Sequence, residues 1–168
     1  RRGPAQVKFT NSEIKEIGEL LDAEPIVDAA ELVLDPLSEK EIANDKEAQH
    51  NLEILREFAA RPRQGKSRQI HFRFLVSPVE ILDDGTGHVS AVRIERNELR
   101  PTDDGYLNAH GTGETYILPA GMVLRSVGYK GTPLPGVPYN ERTGTINNVD
   151  GRVADRATGT QLDGEYVV

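Results

Sequence analysis

Two adjacent guanidinium groups, Arg1 and Arg2, stand ahead of a helix-start signal: Thr10 and Glu13 have the spacing of a capping box. Fixed cations beside a helix N-terminus, where free amides and the helix dipole both favour negative charge, suit an anion such as phosphate. A basic doublet is also what a solvated charged segment looks like. Glu13 serves equally well as the reciprocal member of the capping box or as a ligand contact. Other candidates fail on spacing. Gly85-Thr86-Gly87 and Gly111-Thr112-Gly113 lack a third glycine and open onto no helix, so both read as turns. Gly65-Lys66-Ser67 has no glycine five residues earlier, which excludes a phosphate-cradling Walker loop. His50, His71, His88 and His110 share no metal-ligand spacing, and no serine sits in a nucleophile elbow. With no cysteine, disulfides, thiolate nucleophiles, iron-sulfur clusters and cysteine zinc sites are all excluded. No catalytic residue and no metal site is assigned.

The chain that must position these residues has 168 of them, enough for one ordinary domain. Its 28% charged and 37% hydrophobic residues are a globular composition, and no apolar run approaches a membrane span. Twenty Lys plus Arg against 27 Asp plus Glu give a formal charge of −7, which argues against a general nucleic-acid or anionic-membrane surface. An anionic ligand therefore needs a local exception, and Arg1-Arg2 is one. The sequence starts on Arg1, its one methionine is Met122, and Glu165 to Val168 read as an unfinished strand, so the expectation is a piece of a longer protein.

Helical spacing of Ile14, Ile17 and Leu21 predicts a first helix over Asn11 to Leu21. An irregular connector or short strand is expected over Ile26 to Leu34. Ser38 and Glu41 repeat the capping-box spacing, and the Gly- and Pro-free segment from there to Ala60 predicts one long helix. Its apolar face is Ala48, Leu52, Leu55 and Ala59, and its front half carries Glu39, Lys40, Asp45, Lys46 and Glu47. After a basic linker, Arg61 to Arg68, the period switches to two at Ile70, Phe72, Phe74 and Val76. Pro78 then implies a bent or edge strand, and Val79 to Leu82 with Val89 to Glu95 read as a hairpin. A polar stretch from Asn97 to Gly113 leads to a short strand at Thr115 to Leu118, and Met122 to Tyr129 has the pattern of a buried strand. Beyond Lys130 the expectation is a long ordered loop with extended pieces at Thr145-Ile146 and Arg152-Val153. This order of elements allows α/β or α+β.

Three blocks together resemble the adrenodoxin reductase family, ferredoxin-NADP reductases that contain FAD. They are Arg1-Arg2-Gly3-Pro4-Ala5-Gln6-Val7-Lys8-Phe9-Thr10 with Glu13, then Phe72 to Ile81, then Val123 to Tyr129 with Pro133 to Pro138. The resemblance spans essentially the whole chain, with the blocks in family order. It implies an α/β, partial Rossmann-like FAD/NAD(P)-binding domain with a β-hairpin or meander insertion. Residues 1–168 would be most of the NADP-binding domain, lacking its first β-α unit and the C-terminal return to the FAD domain. Such an enzyme transfers hydride between NADPH and FAD and passes electrons to ferredoxin or another iron-sulfur protein, in the cytoplasm. The fragment by itself would be inactive.

The resemblance carries Arg1 and Arg2 onto the arginines that hold the 2′-phosphate of NADP, and Glu13 onto the family glutamate near the adenosine ribose. FAD would bind mainly outside these residues, and Ser126 to Tyr129 would face the junction with the FAD domain of the same parent chain. One departure stands out. The family pattern is basic on and after the long helix, where an acidic ferredoxin would dock, whereas Asp35 to Glu57 is largely acidic here. Lys15, Arg61, Arg63, Lys66 and Arg68 keep some positive charge nearby. That departure motivates the alternative: an acidic protein-interaction module on an idle nucleotide-binding fold.

Overall fold

Helix α1, Asn11–Glu19, begins as the Thr10/Glu13 spacing predicts. The structure is a computed structural model that describes residues 3–103, 107–126, 128 and 130–167. Helix α1 buries Ile14 completely, but it stops short of the expected end, and Leu21 is 90% exposed rather than part of the stripe. Its C-terminal carbonyls are met by cations from the basic linker. Arg61 Nη1 donates to the Gly18 carbonyl at 3.1 Å and Lys66 Nζ to that of Leu20 at 2.6 Å. Cations at this end satisfy orphan carbonyls and oppose the negative pole of the helix.

The long helix is two helices, α2 at Pro36–Ile42 and α3 at Lys46–Ala60. Asp35, not Ser38, caps α2: its carboxylate accepts the Leu37 and Ser38 amides at 2.9 and 3.1 Å, and Pro36 fills the first turn. Asp45 restarts the chain as α3 by accepting the Ala48 amide at 2.9 Å. The break falls at Asn44-Asp45, side chains that compete for backbone amides and so favour helix starts over helix interiors. Gln49 Nε2 covers the Ile42 and Ala43 carbonyls at 2.8 Å each, which completes the break. Helix α3 buries Ala48, Leu52, Ile54, Leu55 and Phe58 in a core shared with Ala5, Ile14, Val27, Leu32, Ile42 and Phe74.

Strands β1, Ala23–Ile26, and β2, Arg68–His71, pair in parallel from Ala23 opposite Arg68 to Ile26 opposite His71. Strand β1 ends on the first residue of the expected connector, which is irregular beyond it apart from a 3-10 turn over Ala29–Leu32. The period-two run does not form one strand. Leu75 sits at φ 51°, which turns the chain after Phe74 has entered the core and before β3, Val76–Asp83, begins. That conformation is uncommon for a leucine.

Strands β3, β4 (Val89–Pro101) and β5 (Leu107–Pro119) form an antiparallel meander in that order. The hairpin is as expected, and Pro78 lies on edge strand β3 beside a register shift. The polar stretch is not a loop: Asn97 to Pro101 and Leu107 to Gly111 continue the β4–β5 ladder. Pairing, which no local apolar pattern announces, satisfies their backbone. Gly111 and Gly113 accordingly lie within β5 rather than in a turn. A Cβ on Gly111 would collide with the Glu95 carboxylate, which accepts the Gly113 amide at 2.9 Å.

The chain divides after Val123 into two compact units. Met122 and Leu124, 72% and 84% exposed, belong to no strand, so the buried strand expected over Met122 to Tyr129 is not formed among the described residues. An apolar run becomes a strand only where a neighbouring ladder takes its amides, and none of the described strands does so. Val127 and Tyr129 lie outside the described residues. In the second unit, β6 (Tyr139–Asn140) pairs with β7 (Thr145–Ile146). Strands β8 (Asn148–Val149), β9 (Arg152–Ala154) and β10 (Gln161–Tyr166) make an antiparallel sheet in which Val153 and Ala154 are buried; β7 and β9 fall on the expected extended pieces, whereas β10 begins four residues before the expected final strand and ends at Tyr166.

Candidate functional site

Arg1 and Arg2 lie outside the described residues, so the candidate site is built from Gly3 onward. Gly3 and the 3-10 turn Pro4–Gln6 are buried. The Gly3 amide donates to Gln6 Oε1 at 3.0 Å, and Gln6 Nε2 donates to Glu41 Oε2 at 2.7 Å and Ser38 Oγ at 3.3 Å. The Ser38 hydroxyl donates in turn to Asp35 Oδ2 at 2.6 Å. Partial burial works to raise the Asp35 carboxyl, and the bonds from Ser38 and Leu37 outweigh it, holding the group below its ordinary range.

The chain then runs into α1 along α3. Asn51, 1% exposed, donates through Nδ2 to the Phe9 carbonyl at 2.7 Å, and its Oδ1 accepts Asn11 Nδ2 at 2.8 Å. Neither Gln6 nor Asn51 was an expected functional residue. The signal for Asn51 is an amide set within the apolar face Ala48, Leu52, Leu55; a lone glutamine after Pro4 carries none.

At the start of α1 the reciprocal capping box is complete. The Thr10 hydroxyl accepts the Glu13 amide at 3.3 Å, and Glu13 Oε2 accepts the Thr10 amide at 2.8 Å. Thr10, through its backbone amide first and its side chain second, holds the exposed Glu13 carboxyl below its ordinary pKa of 4.5. A carboxyl lowered on folding stabilises the fold above its unfolded pKa, and that contribution is lost as pH falls through the folded value. A carbon-detected titration should therefore place Glu13 below 4.5, with the Thr10 amide resonance moving in step. A Glu13 curve centred at or above 4.5 would count against the box.

The remaining expected features are distributed. His50 Nδ1 lies 3.1 Å from Glu53, His71 Nε2 3.0 Å from Gln69 and His88 Nδ1 2.9 Å from Thr86. Among the described residues no three His, Asp or Glu side chains could hold a metal ion. Of the acidic residues on the helices, Glu41 is engaged with Gln6. Among the basic ones, Arg61 and Lys66 are engaged at the end of α1. Ser126 is exposed, and among the described residues no helix is long and apolar enough to cross a membrane.

A parallel strand pair flanked by helices, with an antiparallel meander inserted, is a mixed α/β arrangement, and it matches part of an FAD/NAD(P)-binding oxidoreductase fold. The solved structure of Mycobacterium tuberculosis FprA in complex with NADPH aligns with a TM-score of 0.80 at 42% identity, covering 91% of this chain and 33% of that one. In sequence, NADPH-ferredoxin reductase FprA of M. tuberculosis is 43% identical over 155 residues, 91% of this chain and 33% of its own. The mitochondrial NADPH:adrenodoxin oxidoreductase of Arabidopsis thaliana is 32% identical over 165 residues, 95% of this chain and 34% of its own. The human enzyme of that name is 37% identical over 164 residues, 92% of this chain and 33% of its own. No family model matches. The chain is homologous to adrenodoxin reductase-type NADPH-ferredoxin reductases and spans about a third of the length of the relatives it matches.

Proposed function

We propose that residues 1–168 form most of the NADP-binding domain of an FAD-dependent ferredoxin-NADP reductase, without the first β-α unit of that domain or its return to the FAD domain. The observation that supports this reading most is the 43% identity to an NADPH-ferredoxin reductase across 91% of the chain. In this reading Arg1 and Arg2 hold the 2′-phosphate of NADP and Glu13 approaches the adenosine ribose. The donor chemistry agrees for Glu13. Its Oε2 is committed to Thr10, and the remaining carboxylate oxygen can accept a ribose hydroxyl but would repel a phosphate. Phosphate binding thus falls to the two guanidinium groups, which present planar, permanently charged donors.

When bound, nicotinamide and flavin supply the hydride chemistry, with FAD held mainly by residues outside 1–168. The residues here bind and orient: the capping box fixes the start of α1, and the Gln6 and Asn51 amides tie the segment from Gly3 to Phe9 to α2 and α3. No side chain needs to act as a general acid or base. The electron acceptor is ferredoxin or another iron-sulfur protein, and the enzyme works in the cytoplasm.

Anaerobic stopped-flow reduction of the flavin in the full-length protein tests the reading. NADPH should reduce it with a second-order rate constant about a hundredfold above that of NADH, and the reduced enzyme should then reduce ferredoxin. Equal rates with the two nucleotides, or a chain that carries no flavin, would overturn it.

A further inference from the structure

The geometry points to a pocket for an alkylammonium group on the β3–β4–β5 meander, built around the carboxylate of Glu95. A cavity of about 620 Å³ opens there, lined from β3 by Ser77 and its neighbours, from β4 by Glu95 and Asn97, and from β5 by the run that ends at Gly111. Its centre is the register shift on β4, where Glu95 pairs with Thr115 but Asn97 pairs with Gly111. Directly opposed residues share a sheet face, so Asn97 and Gly111 lie on the same one. A Cβ on Gly111 would collide with the Glu95 carboxylate, which therefore lies over that face in room that only a glycine leaves. The Gly113 amide fixes it there by donating to Oε1 at 2.9 Å. Asn97 Nδ2 donates to Ser77 Oγ at 2.9 Å, which brings the serine hydroxyl to the same spot.

These bonds leave a set of acceptors open. Asn97 is 8% exposed, and its Oδ1 takes no hydrogen bond among the described residues. The second oxygen of half-buried Glu95 is open in the same way, and Ser77 Oγ has a lone pair beyond the one that Asn97 uses. The arginines of β4 supply no cation to this spot: Arg93 pairs with Glu80 at 2.9 Å, Arg96 with Glu114 at 2.9 Å, and Arg100 with Glu98. Of the two acidic residues on β4, Glu98 thus has its cation and Glu95 has none among the described residues. A buried amide oxygen and a partly desolvated carboxylate both favour a ligand that brings N–H donors and positive charge. An ammonium head carries three such donors, which suits three acceptors on three separate side chains. A guanidinium prefers both oxygens of one carboxylate, and Gly113 already engages one of them. A single carboxylate is also too little for calcium. Pro78, Val79 and Ala109 line the cavity and give the carbon chain an apolar wall. His110 lines it too, and a neutral imidazole adds one more acceptor.

The test is saturation-transfer NMR on the full-length protein at about pH 8, with n-butylammonium as the probe. Its dissociation constant should lie in the millimolar range, and n-butylguanidinium and 1-butanol should each bind at least about fivefold more weakly. Glu95→Gln keeps the shape and removes the charge, so it should weaken butylammonium about tenfold or more. Glu80→Gln is the control: its carboxylate is paired with Arg93, and binding should stay within about twofold. Ser77→Ala should weaken the probe about threefold, and it carries the test if Glu95→Gln fails to fold. An ammonium that does not bind, equal losses in the two glutamate variants, or an unmoved constant in Ser77→Ala would overturn the site. Butylguanidinium binding as tightly as butylammonium, or calcium displacing the amine, would overturn its chemical class. Nα-acetyl-lysine methylamide run beside butylammonium separates the sources of the group. Tighter binding of the lysine compound assigns the pocket to a lysine of a partner protein, and tighter binding of butylammonium assigns it to a free amine.

Discussion

Changing Arg1 and Arg2 together to Ala should weaken binding of 2′,5′-ADP to the full-length protein by about a hundredfold or more, while 5′-AMP stays within about threefold. Hydrogen bonds from a charged donor to a charged acceptor contribute roughly 1.5–3 kcal/mol each, so losing two sets of them from one phosphate removes at least two decades of affinity. The effect should shrink as salt rises, because attraction between charges in water is screened within about 10 Å at 0.1 M. Adenine and 5′-phosphate contacts are untouched, which is why 5′-AMP serves as the internal reference. Equal losses for both ligands would mean that the arginines support the fold rather than the 2′-phosphate.

Leu55→Ala should destabilise the first unit by about 3 kcal/mol, within the usual 2–5 kcal/mol for a large-to-small change in a packed core. Leu55 is completely buried at the centre of α3, in the cluster that includes Ile14, Leu32 and Phe58. The cost has two parts: the lost transfer of the side chain out of water, and a cavity that a helix held by Asp45 and Gln49 cannot collapse to fill. The three α-helices among the described residues belong to the first unit, so far-ultraviolet dichroism at 222 nm during urea unfolding reads this transition directly. Leu21→Ala is the control. At 90% exposure that side chain buries almost nothing, and the midpoint should not move. A Leu55 variant as stable as Leu21→Ala would contradict a core centred on α3.

The elements read best from sequence are those whose signals are local. The Thr10/Glu13 box, the apolar face of α3, the β3–β4 hairpin and the edge character of Pro78 each depend on residues a few positions apart, and each is present. The errors share a different cause. Ser38 has the spacing of a cap, but Asp35 three residues earlier offers a stronger acceptor with Pro36 behind it, so Ser38 becomes a donor within α2. The alternation from Ile70 to Val76 looks continuous, but Phe74 is drawn to the helices while Val76 pairs with Arg96, and Leu75 must turn between them. The polar residues after Asn97 become a strand because β5 returns beside them.

The same division applies to the site. Sequence alone determined the chemistry available: no cysteine, no metal spacing, and two arginines before a capped helix. Only the tertiary structure decided which buried polar side chains hold the segment from Gly3 to Asn11 in place. Gln6 reaches Glu41 and Ser38 across 35 and 32 positions, and Asn51 reaches Phe9 across 42. A hydrogen bond across such a separation has no signature in either partner's neighbours along the chain. It exists because burial beside a packed core leaves an amide no water to bond, and the fold brings up the acceptors that replace it.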